Sequence, residues 1–339
     1  MEKLYPKIKS QLKLEALTEL KRTSSVIALR ADKTEVDDIL TAQQNSGKWL
    51  LENRNGNLFS LPIAIDERGE TYCLPLHHSL ISGLTGSGKS APLTSIITQL
   101  LPFWETGLVK FYGIDPKNSD LKAFGATTIF DDFTSDENQA IELIHKVYEI
   151  LQERIKKSRI DREAKDLNRS LKPSKANPVI MLMIDELLAL LLTFKQIGNA
   201  GKKPFMELNA ILAKGRSIGV YVVAATQGND KDLFGQMRGN FGNVIVLRQD
   251  SRYFNDLFLG ESAVERGFDA TAIPLSNAAN GYKYAGIGFV KQEAGEPLRV
   301  RFPHNTDADI FALTEPYWRE QPMSLDNLLN DDSDLFTLI

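Results

Sequence analysis

The chain has 339 residues, of which 42% are apolar and 25% charged, and its formal net charge is −4. That composition supports a sizeable core in one large domain or two, and it excludes attraction of nucleic acid by whole-chain charge, so such a site has to be a local basic surface. A single cysteine, Cys73, excludes a disulfide framework or a cysteine zinc site within one chain and fits a reducing cytosol, as does the lack of an apolar signal-peptide stretch after Met1.

Residues 1–58 read as a small separate element. Helical patterns run over 12–20 and 34–44, and the turn cluster Asn53-Arg54-Asn55-Gly56-Asn57 marks a boundary. Short apolar runs at 79–82, 109–114, 179–184, 220–225 and 244–247 then alternate with helical stretches at 94–101, 137–157 and 204–214. Such alternation predicts an α/β fold, a mainly parallel sheet flanked by helices. The most apolar run, 179–194, is broken by Asp185-Glu186, whereas a membrane span needs roughly 20 apolar residues. It reads as a buried strand and an apolar helix, with no direct membrane insertion. Residues 165–178 are polar and read as a loop. Residues 325–339 mix Asp326, Asp331, Asp332 and Asp334 with Leu and Phe, an acidic C-terminal tail.

Gly83-Leu84-Thr85-Gly86-Ser87-Gly88-Lys89-Ser90 matches the phosphate-loop pattern G-x-x-x-x-G-K-[ST], with a strand before it and a helix after it. Glycines let the backbone wrap a phosphate with its N–H groups inward, and the helix N-terminus adds partial positive charge. The expected nucleotide contacts are Gly83, Thr85, Gly86, Ser87, Gly88, Lys89, Ser90 and Ala91. Lys89 would reach the terminal phosphates of ATP, and Ser90 would ligate Mg2+. Pro92 falls in the first helical turn, where a missing N–H costs little.

The run 179–184 delivers Asp185 and Glu186 at a strand's C-terminal end, where open α/β sheets bind ligands. Asp185 can hold magnesium and Glu186 can polarise an attacking water, as phosphoryl transfer requires. The plain alternative is a strand that ends in solvated acids. A further run ends in Gln227, placed to sit between the two motifs and sense the γ-phosphate.

At these residues the sequence resembles the FtsK/SpoIIIE branch of the HerA–FtsK ATPases. The resemblance rests on His78–Gly83 leading into the phosphate loop, Ile114-Asp115-Pro116-Lys117, Ile184-Asp185-Glu186, Ala213-Lys214-Gly215-Arg216-Ser217-Ile218-Gly219, Arg238-Gly239-Asn240-Phe241 and Gly288-Phe289. It implies a RecA-like P-loop NTPase core over 59–303, a small N-terminal element at 1–58 and a C-terminal extension at 304–339. It also implies a cytoplasmic, ATP-driven translocase that forms a homohexameric ring and pulls double-stranded DNA without reading sequence. Arg216 is then the candidate arginine finger reaching a neighbour's nucleotide, with Arg248 next. The sequence departs from the family at Gly228-Asn229, where Arg-Pro is common after the Gln. It is similar to motors of mobile elements, such as conjugative coupling ATPases, which implies work in transfer, replication or segregation of plasmid, integrative-element or phage DNA. The alternatives are a nucleotide-dependent DNA-binding or recruitment switch, with the tail docking a protein partner, and a phage packaging motor.

Two loops are candidate DNA contacts: 195–203, with Lys195, Lys202 and Lys203, and 228–240, with Lys231 and Arg238. Lysines on flexible glycine loops suit phosphate tracking. The stretch with Arg154, Lys156, Lys157, Arg159 and Arg162 interleaves with acids and reads as a solvated, salt-bridged face.

Overall fold

The computed structural model describes residues 47–163, 172–228, 234–235, 237–291 and 293–319. The helical patterns at 12–20 and 34–44, Lys231 and the acidic tail lie outside the described residues.

The chain builds one ten-stranded sheet in the order β2-β1-β10-β9-β8-β3-β7-β6-β4-β5. Its strands are β1 (Ser60–Asp66), β2 (Thr71–Pro75), β3 (Ser79–Ser82), β4 (Val109–Ile114), β5 (Phe130–Thr134), β6 (Val179–Ile184), β7 (Val220–Thr226), β8 (Asn243–Leu247), β9 (Ile287–Lys291) and β10 (Leu298–Arg301). The strands from β8 to β5 pair in parallel. β9, β10, β1 and β2 extend that half by antiparallel pairing. The sheet is therefore mixed: the predicted parallel part, β8 to β5, is the larger and carries the antiparallel extension β9, β10, β1 and β2 at one side.

β6 shows why the centre forms. Its sequence VIMLMI is buried throughout. Ile180, Leu182 and Ile184 enter one core, while Val179, Met181 and Met183 enter the other. A strand covered on both faces is apolar at every position, and each fully buried aliphatic side chain contributes about 1.5–3 kcal/mol.

The eight α-helices among the described residues are α1 (Gly47–Glu52), α2 (Ser90–Glu105), α3 (Lys122–Gly125), α4 (Glu137–Glu163), α5 (Leu187–Gln196), α6 (Asn199–Lys214), α7 (Arg252–Leu259) and α8 (Asp307–Thr314). α2, α3 and α8 contribute to one core and α4 to α7 to the other. Pro102 lies inside α2. Its missing N–H frees the Thr98 carbonyl, which accepts a hydrogen bond from Arg54 at 2.9 Å. The turn cluster before β1 thus stitches to the helix after the phosphate loop.

Two sequence expectations are corrected. Residues 195–203 are not a flexible loop: Lys195 sits in the last turn of α5, and Lys202 and Lys203 sit in α6. Gly198, at φ +64°, makes the break between these helices. Arg154 is not on a solvated face either. It is half-buried and donates to the carbonyls of Ile218, Gly219 and Pro178 at 3.0, 3.1 and 2.6 Å. It therefore ties α4 to the entrances of β6 and β7. No helix among the described residues is long and apolar enough to cross a membrane.

Candidate functional site

The site lies at the C-terminal edge of the parallel half, where β3, β4, β6 and β7 all end. The loop 83–89 leaves β3 and turns into α2, with Gly86 and Gly88 at φ +76° and +86°. These two positions need glycine, because a side chain strains such backbone. Space enforces the second: a Cβ on Gly88 would stand 2.5 Å from the Gly286 nitrogen. Gly286 in turn donates to the Ser87 carbonyl at 2.9 Å, so the segment before β9 braces the cradle.

Lys89 is buried, and its Nζ donates to the carbonyls of Gly83 and Leu84 at 3.0 and 3.2 Å. Burial lowers its pKa, opposed by the charges of Asp120, Glu186 and Asp185. Asp185 accepts from Ser119 Oγ at 3.0 Å. Burial, reinforced by Asp120 and Asp115, pushes its carboxyl up to about 7. Glu186 is buried as well. Lys117 Nζ donates to its Oε2 at 2.9 Å, and the Gln227 N–H reaches both carboxylate oxygens at 3.1 Å. Gln227 Oε1 accepts from Thr85 Oγ1 at 3.1 Å, so this residue does bridge the phosphate loop and the acidic pair.

The loop after β4 holds the acids in place, and its residues reach further into the site than the sequence disclosed. Asp115 is fully buried, and its Oδ2 accepts the N–H groups of Ser119 and Leu121 at 2.8 and 3.1 Å. Asn118 takes a left-handed φ of 51°, which Asn tolerates. That turn swings Lys117 onto Glu186 and Ser119 onto Asp185. Asp115 and Lys117 stood in the family-like motif; Ser119 and Asp120 carried no signal, because a turn assigns their roles.

The residues present fit a magnesium-bound triphosphate. Lys89 Nζ hydrogen-bonds only to the backbone carbonyls of Gly83 and Leu84 among the described residues, and Ser87 Oγ and Asp185 Oδ1 have no hydrogen-bond partner among them. Buried polar atoms of that kind suit an external ligand. Among the described residues no cluster of three His, Cys, Asp or Glu could hold a metal by itself. That fits magnesium, which takes one or two protein ligands and fills its shell with water and phosphate.

The sequence and its fold agree with known proteins at this point. Residues 55–267 match the model of the FtsK/SpoIIIE family. The chain belongs to the FtsK/SpoIIIE family. DNA translocase FtsK of Corynebacterium glutamicum is 25% identical over 316 residues, covering 87% of this chain and 31% of that protein. DNA translocase FtsK of Chlorobaculum tepidum is 22% identical over 300 residues, covering 82% and 34%. The chain thus spans about a third of the length of these curated FtsK relatives. Among solved structures, the pCW3 conjugation coupling protein TcpA, determined with ATPγS, superposes with a TM-score of 0.59 at 17% identity, covering 77% of this chain and 72% of that one. The cytoplasmic domain of the type VII secretion ATPase EccC of Thermomonospora curvata gives 0.58 at 19% identity, covering 79% and 32%. These likenesses establish the P-loop ATPase fold of this FtsK/SpoIIIE member.

The remaining candidates lie elsewhere. Arg216 precedes β7 and so stands at the N-terminal edge, about 20 Å from its own phosphate loop at the usual strand rise. There it pairs with Glu293 of the β9–β10 hairpin, both side chains half exposed. Arg248 stays at the C-terminal edge, where its carbonyl accepts from the Leu84 N–H at 3.1 Å. Arg238 does not share that edge. It lies just before β8, at the opposite edge, and donates to the Leu257 carbonyl at 2.7 Å. Lys195, Lys202 and Lys203 are exposed on the α5–α6 hairpin, with Lys203 pairing loosely with the buried Glu207 at 3.8 Å.

Proposed function

We propose that this FtsK/SpoIIIE member hydrolyses ATP at the β3–β6–β7 edge and couples hydrolysis to movement along double-stranded DNA. One observation carries the reading: Lys89, Asp185, Glu186 and Gln227, from three separate strand ends, converge on a cradle lined with unpartnered buried atoms. The ATP site is formed by Gly83, Thr85, Gly86, Ser87, Gly88, Lys89, Ser90 and Ala91. Ser90 and Asp185 would hold magnesium, which would supply charge neutralisation at the phosphates. Lys89 leaves the Gly83 and Leu84 carbonyls for the terminal phosphates. Glu186 accepts a proton from the attacking water, and Gln227 relays phosphate occupancy to Glu186 through its own N–H.

Arg216 cannot serve its own nucleotide across the height of the sheet, so its role as a finger is toward a neighbour's site in a homohexameric ring. The body for this work is residues 59–303, with 1–58 and 304–339 as appendages. Lys195, Lys202, Lys203, Lys231 and Arg238 supply charge to phosphates without reading bases. The setting is cytoplasmic, in transfer, replication or segregation of mobile DNA, and the acidic tail docks a protein partner. The test is ATPase rate against added single- and double-stranded DNA, with oligomer mass measured alongside. Stimulation by duplex together with a ring-sized mass supports the motor. DNA-independent hydrolysis by a monomer that ignores DNA overturns it.

A further inference from the structure

We infer that Lys117 is a positioning residue that restrains Glu186, holding hydrolysis down until the loop 115–121 shifts. The inference deepens the proposed ATPase reading and rests on it. Three hydrogen bonds already engage the Glu186 carboxylate: Lys117 Nζ at 2.9 Å on Oε2 and the Gln227 N–H at 3.1 Å on each oxygen. A carboxylate whose two oxygens both accept hydrogen bonds has its lone pairs turned toward those donors and away from an incoming water. Its orientation is fixed as well, since breaking a charge-assisted bond at a buried carboxylate is costly. Glu186 is therefore present but not free to activate water.

The restraint has the two properties of a releasable clamp. Its base is one piece: buried Asp115 accepts from Ser119 and Leu121, so the turn that carries Lys117 moves as a unit. Its arm is accessible: the Lys117 side chain is 41% exposed, whereas Glu186 is 4% exposed. The exposed lysine has solvent to move into once that bond is broken, and the buried glutamate does not. The same turn holds Asp185 through Ser119 Oγ at 3.0 Å, so one movement changes the surroundings of both acids.

The experiment uses the full chain and the variants Lys117→Ala, Lys117→Arg and Glu186→Gln. Lys117→Ala is expected to raise the DNA-free turnover roughly three- to tenfold by freeing the Glu186 carboxylate to turn toward water, with KM for ATP within twofold of native. Stimulation by DNA then shrinks by a similar factor, and Lys117→Arg restores the low basal rate. A readout without nucleotide accompanies it. Lys117→Ala lowers the melting temperature by roughly 2 °C in the native background, and the loss vanishes in the Glu186→Gln background. An unraised basal rate in a natively folded Lys117→Ala chain, or the same melting loss in both backgrounds, overturns the restraint while leaving the ATPase reading intact. A native chain without any ATPase overturns both.

Discussion

The two edges of the parallel half are built from the same strands and could hardly differ more. The C-terminal edge gathers Lys89, Asp115, Asp120, Asp185 and Glu186 into one largely buried cluster, in which burial lowers the Lys89 pKa and raises those of Asp120 and Asp185. The N-terminal edge carries Arg216, Glu293 and His77 as half-exposed neighbours. There burial lowers the His77 pKa first and Arg216 adds to the effect, while Glu293 opposes it. One edge turns its charged groups inward onto the cradle. The other presents a half-exposed arginine paired with Glu293 of the β9–β10 hairpin. The contrast teaches that a buried cluster marks where chemistry is assembled, and an exposed arginine paired only with a hairpin acid marks a surface meant to meet something.

The largest effect expected is at the closed edge. Lys89→Ala removes the amine facing the phosphates and should cut turnover at least about 10³-fold, read as phosphate release under saturating ATP. Next comes the open edge. Arg216→Ala should leave nucleotide affinity unchanged and lower turnover by roughly 10²–10³-fold, measured by nucleotide binding and ATPase together. Mixing the two inactive chains sharpens the comparison, since a native Lys89 site can then receive a native Arg216 from a neighbour. Recovered activity in the mixture shows that the two edges work across subunits; silence separates them.

Smaller effects probe the surroundings. Replacing Lys195, Lys202 and Lys203 together with Ala should weaken duplex binding several-fold and reduce the salt slope by about one unit per lost phosphate contact, read by fluorescence anisotropy at several salt concentrations. The smallest concerns stability. The folded pKa of Asp185 is about 7, above the ordinary carboxylate value, so the folded chain binds this proton more tightly than the unfolded one. The stability it adds is present in full below the ordinary value and is lost as pH rises through 7. Asp185→Asn should therefore melt roughly 3 °C above the native chain at pH 8, and the gap should close toward pH 5. A gap that widens on acidification contradicts the crowding of Asp185 by Asp120 and Asp115.

Much of the closed edge was legible in residue order. The glycines of 83–88, the apolar run ending at Asp185 and the strand ending at Gln227 carry local patterns, and local patterns survive in sequence. What holds the acids was not legible. Ser119 and Asp120 acquire their roles from a turn fastened by Asp115, a contact that no spacing rule encodes. The antiparallel half escaped for another reason. β1 carries Pro62 and a break in pairing register between Pro62 and Ala64, and β10 alternates Arg with apolar residues in only four positions, too short to separate from loop. Lys202 and Lys203 looked like loop residues because glycines flank them, yet Gly201 is buried in α6 against the Phe194 carbonyl, where only a missing side chain permits the helices to meet.

One strand gives the contrast between the edges a mechanical side. β9 begins beside Gly286, whose N–H grips the Ser87 carbonyl, and ends just before Glu293, which holds Arg216. Five residues of extended backbone, with little stretch in them, thus run like a tie rod from the seat of the phosphates to the arginine on the far rim. A seat for phosphate and a grip on the rim arginine hang from the two ends of a single strand.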